Sequence, residues 1–381
     1  MIYLDTAATT PVRREVIEAM WPFLTGEFGN ASSQSGLGRR AAAALKDARE
    51  RVAVCLGCRA SEIIFTSGGT EADNFAIKGI ALANPRGRHV ITSSIEHEAV
   101  LESCAYLERH HGFDVTRLAV DHLGMVPEES FRDALRDDTT LATIMLANNE
   151  VGTVQPVATL AAASKLRGSA FHTDAVQAPG LLDVEVNTLG VDALSLSGHK
   201  LGAPKGFGCL YLRGRVQAEP LVHGGGQERG RRSGTENVAG AVGFALALEL
   251  ATRTHTERAA RLGRLRDQLI EGVLTAVPQA VLTGHATARL AANASFCFPG
   301  TSGESMLLQL EERGIVCSSG SACAAGRDEP SYVLLAMGYA PAVAQTAVRF
   351  SLSDAITEAD VATVIHAVGQ SYRAIATLGA H

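Results

Sequence analysis

Strand-like and helix-like segments alternate along the chain from about residue 60 to residue 215. The candidate buried strands are short apolar runs next to polar or glycine-containing turns, at residues 62–66, 89–92, 141–146, 170–173 and 193–196. Such alternation is typical of βαβ units and predicts an α/β fold with a largely parallel sheet. Because ligands bind outside the carboxyl ends of the strands in these sheets, we expect the turns after them to line the functional site.

The second half of the chain predicts a smaller unit of different organisation. With 381 residues, the chain exceeds the usual size of one hydrophobic core. The pattern from Glu236 to about Val277 is helical and too long for one ordinary helix, and it lacks strict heptads, so we expect a bent helix or two helices. Strand-like runs follow at residues 294–298 and 347–351, and a last amphipathic helix begins near Thr357.

Composition and charge exclude several classes of function. The net charge of −6 comes without a strongly basic block, so we expect no direct binding of nucleic acid or of an anionic membrane. No run approaches the ~18 apolar residues of a membrane span. The N-terminus lacks the basic, apolar and small-residue pattern of a signal peptide, and we therefore expect a cytoplasmic protein.

The seven cysteines are an odd number, which argues against a disulfide framework and predicts at least one free thiol. Cys55 and Cys58 form a CxxC pair, a spacing used in metal binding and in redox chemistry. No second CxxC or Cys/His pair accompanies it, so an ordinary pair of thiols near a helix end is favoured, and no metal site is expected.

Residues 66–74 run from a strand end through two glycines into a helix. Bare backbone amides, a helix N-terminus and the Thr70 hydroxyl together suit a phosphate group, so we call residues 66–74 the predicted phosphate cradle. The alternative is a simple glycine turn in which Thr70 caps the helix. The segment is not a Walker loop, because the GxxxxGK[ST] pattern is absent.

Lys200 directly follows an apolar strand and stands in a glycine-containing turn. A lysine delivered in this way into a lined site can act as a nucleophile towards an aldehyde cofactor. Ser197 and His199, on the same turn, can donate hydrogen bonds to a phosphate group. Taken in isolation, a solvated lysine in a glycine-rich loop is the commoner case.

Asp174 stands at the end of another predicted strand, with Gln177 three residues on. A pyridoxal cofactor needs a carboxylate that keeps its ring nitrogen protonated, and Asp174 suits that role. A helix-capping aspartate is the alternative. The cradle, Asp174 and Lys200 follow one another in this order, and Asp174 and Lys200 are about one strand–helix–strand unit apart.

Further motifs extend over nearly the whole chain, at residues 3–11, 29–33, 95–100, 148–152, 223–230, 232–235, 318–323 and 349–351. Together with the cradle, Asp174 and Lys200, they make the chain resemble cysteine desulfurases of the NifS/IscS kind. These proteins belong to the class V aminotransferase group of fold-type I pyridoxal-phosphate enzymes. The resemblance implies an aspartate-aminotransferase-like α/β fold. A large cofactor-binding domain at residues 12–251 would be joined by a smaller α+β domain, residues 1–11 and 252–381, which carries the catalytic cysteine.

The resemblance also implies pyridoxal 5'-phosphate as the cofactor and a set of residues around it. His97 would stack on the ring and assist proton transfer, although a lone histidine is more often structural. Asn149 and Gln177 would contact the ring hydroxyl, and Thr235 would complete the phosphate site of the neighbouring subunit in a homodimer. The full expected set is Gly69, Thr70, His97, Asn149, Asp174, Gln177, Ser197, His199, Lys200 and Thr235.

Arg349 resembles the anchor for the substrate carboxylate, with Asn149 also reaching the substrate. The planar donors of a guanidinium can bind both carboxylate oxygens at once. A surface ion pair is the alternative, but the position of Arg349 inside an apolar strand pattern favours the functional role.

Cys323 decides which reaction the resemblance implies. Glycine and serine neighbours at residues 318–326 make a small loop, suited to carrying a thiol between a buried site and an outside acceptor. Cys323, Lys200 and His97 are the expected catalytic residues, and Cys323 with a partner is also a transient ligand for an iron–sulfur cluster. Cys209 and Cys297 lie in apolar strands and are expected to be buried hydrophobic residues.

The implied reaction converts L-cysteine to L-alanine and leaves the sulfur as a persulfide on Cys323. The expected acceptor is an iron–sulfur scaffold, a tRNA-thiolation protein or a DNA-sulfur-modification protein; the longer C-terminal tail that some members use to hold a scaffold is not expected. Two alternatives stay open at this point. One is an aminotransferase or selenocysteine lyase in which Cys323 is incidental, and the other is a sulfur-relay or scaffold component that acts mainly by binding.

Overall fold

The structure, a computed structural model, describes residues 1–83, 86–319 and 330–378. Its main element is a seven-stranded sheet in the order β2-β8-β7-β6-β5-β3-β4. The seven strands are Ile63–Thr66 (β2), His89–Ser93 (β3), Asp114–Leu118 (β4), Thr139–Thr143 (β5), Ala170–Asp174 (β6), Ala193–Ser197 (β7) and Gly208–Leu212 (β8). Only β8 runs against its neighbours among these strands, so the predicted mostly parallel sheet is confirmed.

Five further strands lie outside this sheet. They are Ile2–Tyr3 (β1), Val281–Leu282 (β9), Asn293–Cys297 (β10), Ile315–Val316 (β11) and Ala347–Ser351 (β12). β1 pairs with β11 in parallel, whereas β10 lies between β12 and β9 in an antiparallel sheet. The N-terminal strand therefore joins the C-terminal part of the chain.

The helices of the first half cover the sheet and connect its strands. They are Arg14–Leu24 (α1), Gly36–Leu56 (α2), Gly69–Asn74 (α3), Ile80–Ala83 (α4), Glu98–His111 (α5), Glu128–Ala134 (α6), Val157–Leu166 (α7) and Val186–Leu189 (α8). A π-helical stretch, Phe75–Gly79, links α3 to α4, so the chain from residue 69 to residue 83 is one continuous helical run.

The helices of the second half are Val238–Arg253 (α9), His255–Ala276 (α10), Gly303–Glu311 (α11), Tyr332–Ala336 (α12), Pro341–Ala344 (α13) and Glu358–Leu378 (α14). Of the two forms predicted for residues 236–277, a bent helix or two helices, the structure has two helices, with the break at Thr254. No helix in the described ranges combines the length and the apolarity needed to cross a membrane.

Both faces of the large sheet are buried, which explains the continuous apolar runs of its strands. Consecutive residues such as Ile64 and Phe65, or Leu210 and Tyr211, belong to hydrophobic clusters on opposite faces. A separate cluster unites Leu4 with residues of α10, α11, α14 and the β10–β12 pair. The division into domains at residues 11/12 and 251/252 stays a prediction.

Sequence periodicity misplaced one strand and missed others. The strand predicted at residues 141–146 instead runs from Thr139 to Thr143. Thr139 can be buried at its start because its hydroxyl group forms a hydrogen bond with His89 at 2.8 Å. The polar edge strand β4 and the antiparallel β8 were not predicted as parts of the sheet.

Candidate active site

A cavity of about 340 Å³ lies at the carboxyl ends of β2, β6 and β7. Ten of the residues expected from the sequence line it, namely Gly69, Thr70, His97, Asn149, Asp174, Gln177, Ser197, His199, Lys200 and Arg349. They come from six separate parts of the chain. The order of the large sheet brings together all of them except Arg349, because the turns after parallel strands open at one edge, and Arg349 comes from β12 outside this sheet.

The predicted phosphate cradle begins directly after β2. Gly68 is the N-cap of α3, so the alternative in which Thr70 caps the helix is wrong. Strand β8 passes very close to this turn: a Cβ added to Gly208 would lie 2.8 Å from the Gly68 backbone and 2.5 Å from the Leu196 carbonyl oxygen. Glycine at position 208 therefore lets the sheet support the cradle from below.

Asp174 is the last residue of β6, as the strand pattern predicted. Its Oδ1 accepts a hydrogen bond from the Val176 backbone N–H at 2.9 Å, which orients the carboxyl group. Burial raises the pKa of Asp174, whereas the nearby His97 and Lys200 act in the opposite direction. Burial of Asp174 and the two nearby basic side chains therefore have opposite effects on its pKa.

A second carboxyl group, Asp73, lines the same cavity and was assigned no role from the sequence. Its Oδ1 is buried without a hydrogen-bond partner among the described residues and lies 3.7 Å from His172 Nε2. Burial and then repulsion from Asp174 raise the pKa of Asp73. The available signal was its spacing of four from Gly69, which places both on one helix face.

His172 lies beside Asp73, below the cavity lining, and carries no charge. Its ring nitrogens lie 2.8 Å from Thr143 Oγ1 and 2.9 Å from Ser195 Oγ. Burial lowers the pKa of His172 to about 3. A neutral imidazole held by two hydroxyl groups adds no net charge beside Asp73 and Asp174.

Lys200 enters the cavity from a single turn, Gly198–Lys200, that follows β7. Its Nζ donates hydrogen bonds to the carbonyl oxygens of Ala7 and, at 2.8 Å, of Ala8. These two carbonyl groups are site components that sequence reasoning missed, although they belong to the quoted motif at residues 3–11. The ammonium group is thus held by the N-terminal segment at the edge of the site.

His199 is neutral and lies beside Lys200. Its Nδ1 is 3.1 Å from Thr9 Oγ1, and burial together with the charge of Lys200 lowers its pKa to about 4. Gln177 Nε2 donates to the Ala7 carbonyl oxygen at 3.2 Å. The N-terminal segment therefore contacts His199 and Gln177 as well as Lys200.

His97 caps helix α5, with its Nδ1 accepting a hydrogen bond from the Ala99 N–H at 3.1 Å. The preceding residue, Glu96, is fully buried and accepts from Ser93 Oγ at 2.6 Å and from the Met145 N–H at 3.0 Å. Burial raises the pKa of Glu96 to about 8. The loop that carries His97 is therefore fixed by a buried acid.

Arg349 lies in β12, and its side chain is 3% exposed, so it does not form a surface ion pair. Its Nη1 donates to the Asn149 carbonyl oxygen at 2.9 Å, and its Nη2 pairs with Asp5 at 2.7 Å. The Nε of Arg349 and the Oδ1 of Asn149 are buried, and neither has a hydrogen-bond partner in the described part of the chain. A donor and an acceptor without internal partners are thus available for a ligand.

One described residue of the predicted set, Thr235, is not among those that line this cavity. Thr235 lines a separate cavity of about 80 Å³, beside Thr66 and Ser67 of the same chain. The same small cavity is lined by Glu228, which forms a buried ion pair with Arg49 at 2.6 Å. Cys323 lies outside the described residues, and its role stays a prediction.

The CxxC pair lies apart from this cavity. Cys55 and Cys58 are free, half-buried thiols at the end of α2, and burial raises the pKa of Cys58 to about 12. Within residues 1–83, 86–319 and 330–378, no group of three His, Cys, Asp or Glu side chains is placed to bind a metal ion.

The chain matches the family model "Aminotransferase class-V" over residues 2–364. It belongs to the class-V aminotransferases. One member of the family, the cysteine desulfurase IscS of Methanosarcina thermophila, is 51% identical over 368 residues, 96% of this chain and 91% of the relative. Identity of this extent places the chain among the cysteine desulfurases of the class-V family, and the predicted enzyme class is confirmed.

Two solved structures bear out the predicted fold. A NifS-like protein superposes with a TM-score of 0.90 and 39% identity, covering 97% of this chain and 98% of its own. SspA, solved in complex with cysteine, has a TM-score of 0.79 and 37% identity, covering 92% and 99%. The aspartate-aminotransferase-like α/β architecture expected from the sequence is confirmed.

Proposed function

We propose that this enzyme takes the sulfur atom from L-cysteine, releases L-alanine and holds the sulfur as a persulfide on Cys323 until an acceptor protein removes it. The observation that carries the proposal is the meeting of Lys200, Asp174 and Arg349 in one cavity. Each supplies a different need of amino-acid chemistry: a nucleophilic amine, a buried acid and a carboxylate anchor.

The residues of the cavity fit pyridoxal 5'-phosphate as the cofactor. When bound, this group supplies an electron sink that weakens bonds around the substrate Cα and Cβ atoms. Lys200 would attach it, Asp174 would pair with its ring nitrogen, and His97 would lie against its ring. The phosphate would be held by Gly69, Thr70, Ser197 and His199, and the ring hydroxyl by Asn149 and Gln177.

Arg349 and Asn149 fit the substrate end of the cavity. The Arg349 Nε donor has no internal partner, and Asp5 already balances the buried guanidinium charge. The guanidinium group of Arg349 is therefore already oriented in the folded protein, and its pairing with Asp5 already offsets its loss of hydration. A substrate carboxylate would accept a hydrogen bond from this group. The cysteine bound to SspA supports an amino acid of this size as the ligand.

The sulfur transfer balances without an outside oxidant or reductant. The Cys323 thiolate attacks the substrate sulfur, a sulfur–sulfur bond forms, and the carbon–sulfur bond breaks. The Cβ atom of the substrate takes up a proton and becomes the methyl group of L-alanine. Lys200 and His97 are the groups placed in the cavity to move protons to and from the substrate carbon atoms.

The proposal includes a homodimer, in which Thr235 serves the phosphate site of the other subunit. This assignment is supported by the position of Thr235 outside the main cavity of its own chain. For the acceptor we propose an iron–sulfur scaffold, a tRNA-thiolation protein or a DNA-sulfur-modification protein, each of which takes up a persulfide sulfur.

The test is to incubate the cofactor-loaded protein with L-cysteine, trap thiols with an alkylating agent and locate the persulfide by mass spectrometry. We expect the persulfide on Cys323, and we expect Cys323→Ala to abolish sulfide release in the presence of a reductant. Cys317→Ala is the matched control, since Cys317 is a partly buried thiol nearby in sequence, and it should retain release. Release at the wild-type rate by Cys323→Ala, or a persulfide on another cysteine, would overturn the proposal.

A further inference from the structure

The chain on both sides of residues 319–330, the segment that contains Cys323, is tied to the candidate active site. On the N-terminal side, Ser318 pairs with Arg349 in an antiparallel bridge. The Arg349 N–H donates to the Ser318 carbonyl oxygen at 2.6 Å, and the Ser318 N–H donates back at 3.2 Å. This end is thus fixed to the residue proposed to bind the substrate carboxylate.

On the C-terminal side, Ser331 is fixed by two hydrogen bonds of its hydroxyl group. The hydroxyl donates to Glu150 Oε2 at 2.5 Å and accepts from the Leu334 N–H at 3.2 Å, which caps helix α12. Ser331 is 2% exposed and Glu150 is 4% exposed. Because Glu150 directly follows Asn149, this contact joins the start of α12 to the loop that carries a site residue.

Tyr332 makes a second connection of the same kind. Its hydroxyl group donates to the Glu96 carbonyl oxygen at 2.6 Å. Glu96 is followed in the sequence by His97, which lines the cavity. The first two residues after the segment are therefore bonded to two different loops of the site.

Apolar packing reinforces these two hydrogen bonds. The buried residues of α12 and its C-terminal end join a cluster with residues that flank Glu96 and Glu150 on the site loops. The cluster includes Val333, Leu334, Met337, Ile95, Met145 and Val151, all of them less than 5% exposed. A close-packed cluster of this kind resists small displacements, so the start of α12 has a defined place relative to both loops.

We propose that Ser331 and Tyr332 are positioning residues that hold the C-terminal end of the Cys323 segment at a fixed place beside His97 and Asn149. The inference rests on the proposed function, in which the Cys323 thiol attacks the substrate sulfur. Ser318 on one side and Ser331 and Tyr332 on the other fix where the described chain leaves and re-enters the site, and so fix the distance between the two ends of the segment. Both anchors therefore raise the frequency with which the thiol meets the substrate, without touching substrate or cofactor themselves.

The test measures persulfide formation on Cys323 in a single turnover, by rapid quenching with an alkylating agent and mass spectrometry. We expect Tyr332→Phe and Ser331→Ala each to slow this step by roughly 10-fold, since small misplacements of reacting groups cost up to about 100-fold. Ser331→Thr, which keeps the hydroxyl group, should restore the rate. The L-cysteine concentration at half-maximal rate and the visible spectrum of the bound cofactor should not change.

Ser302→Ala is the matched control, because Ser302 also caps a helix, α11, but is exposed and its hydroxyl group bonds to the Ser305 N–H of that helix. It should form the persulfide at the wild-type rate. Wild-type rates in both Tyr332→Phe and Ser331→Ala, or an equal slowing by Ser302→Ala, would overturn the inference. Absence of a Cys323 persulfide in the wild-type protein would instead overturn the proposed function.

Discussion

The carboxylate of Asp5 lies 2.7 Å from Nη2 of Arg349, in a pair whose arginine side chain is 3% exposed. Asp5 follows strand β1 and Arg349 lies in β12, so the contact joins the N-terminal segment to a residue that lines the cavity. Because the pair is buried on the arginine side, the two charges depend on each other: removing one leaves the other poorly solvated.

We therefore expect Asp5→Asn to lower the free energy of unfolding by about 2 kcal/mol, the range for a hydrogen bond to a charged group. Urea unfolding of the two proteins measures the difference. Asp354→Asn is the control, since Asp354 is 44% exposed and its ion pairs with Arg13 and Arg258 should contribute about 1 kcal/mol or less. Equal losses in the two variants would show that burial of the Asp5 pair has no energetic consequence.

Lys200→Ala should abolish the visible absorption band that the protein acquires with pyridoxal 5'-phosphate, because the covalent attachment is lost. Lys205→Ala, at an exposed position five residues further along the chain, should retain the band. Absorption spectra measure this, and borohydride treatment followed by peptide mapping locates the modified lysine. Retention of the band in Lys200→Ala would contradict the assignment.

Gly208→Ala should weaken cofactor binding and stability together. The new methyl group would lie 2.8 Å from the Gly68 backbone and 2.5 Å from a carbonyl oxygen, so the cradle must shift. We expect a loss of about 1–3 kcal/mol, typical of overpacking. Thermal unfolding and titration of the apoprotein with cofactor measure both effects. Gly26→Ala, where a methyl group would meet nothing within 4 Å, should leave both unchanged.

Glu96→Gln should change how stability depends on pH. Burial raises the pKa of Glu96 to about 8 from 4.5, so the folded protein binds more protons than the unfolded chain between these values. The free energy of unfolding that comes from keeping Glu96 protonated in the folded protein is fully present below pH 4.5. It is lost as the pH rises through 8, at up to about 1.4 kcal/mol per pH unit.

Glutamine mimics the neutral acid, so the stability of Glu96→Gln relative to the wild type should increase from pH 6 to pH 8. Urea unfolding at several pH values measures the difference in free energy of unfolding between the two proteins. His172 affects the pH dependence in the opposite direction, but it is present in both proteins, so its effect cancels in this difference. Glu98→Gln, two residues away and exposed, should follow the wild-type curve. Parallel curves for Glu96→Gln and the wild type would show that Glu96 is ionised in the folded protein.

Local patterns were enough to predict the parts of the site that lie directly after strands. The ends of β2, β6 and β7 could be located from apolar runs bounded by turns, and the cradle, Asp174 and Lys200 follow from them. A parallel sheet aligns its strand ends, so the meeting of these residues also follows from the α/β pattern. The resemblance to the cysteine desulfurases added His97, Asn149 and Arg349 to the same site.

Other parts of the site depend on contacts between distant segments. The Asp5–Arg349 pair joins residues 344 positions apart, and the Ser331–Glu150 hydrogen bond spans 181. Periodicity and turn signals extend over a few residues, so they carry no information about such partners. Strand β8 was missed as a part of the sheet for a related reason, because its pairing with β2 joins segments that are far apart in the sequence.

The sequence by itself determined the α/β class, the strand ends and the identity of the reactive side chains, because these depend on local hydrophobic patterns and on the family motifs. Only the tertiary structure decided the surroundings of those side chains: the carbonyl groups that hold Lys200, the buried Asp73 beside Asp174, and the anchors at Ser331 and Tyr332. The physical reason is that burial and hydrogen bonding act over distances in space, which chain separation does not predict.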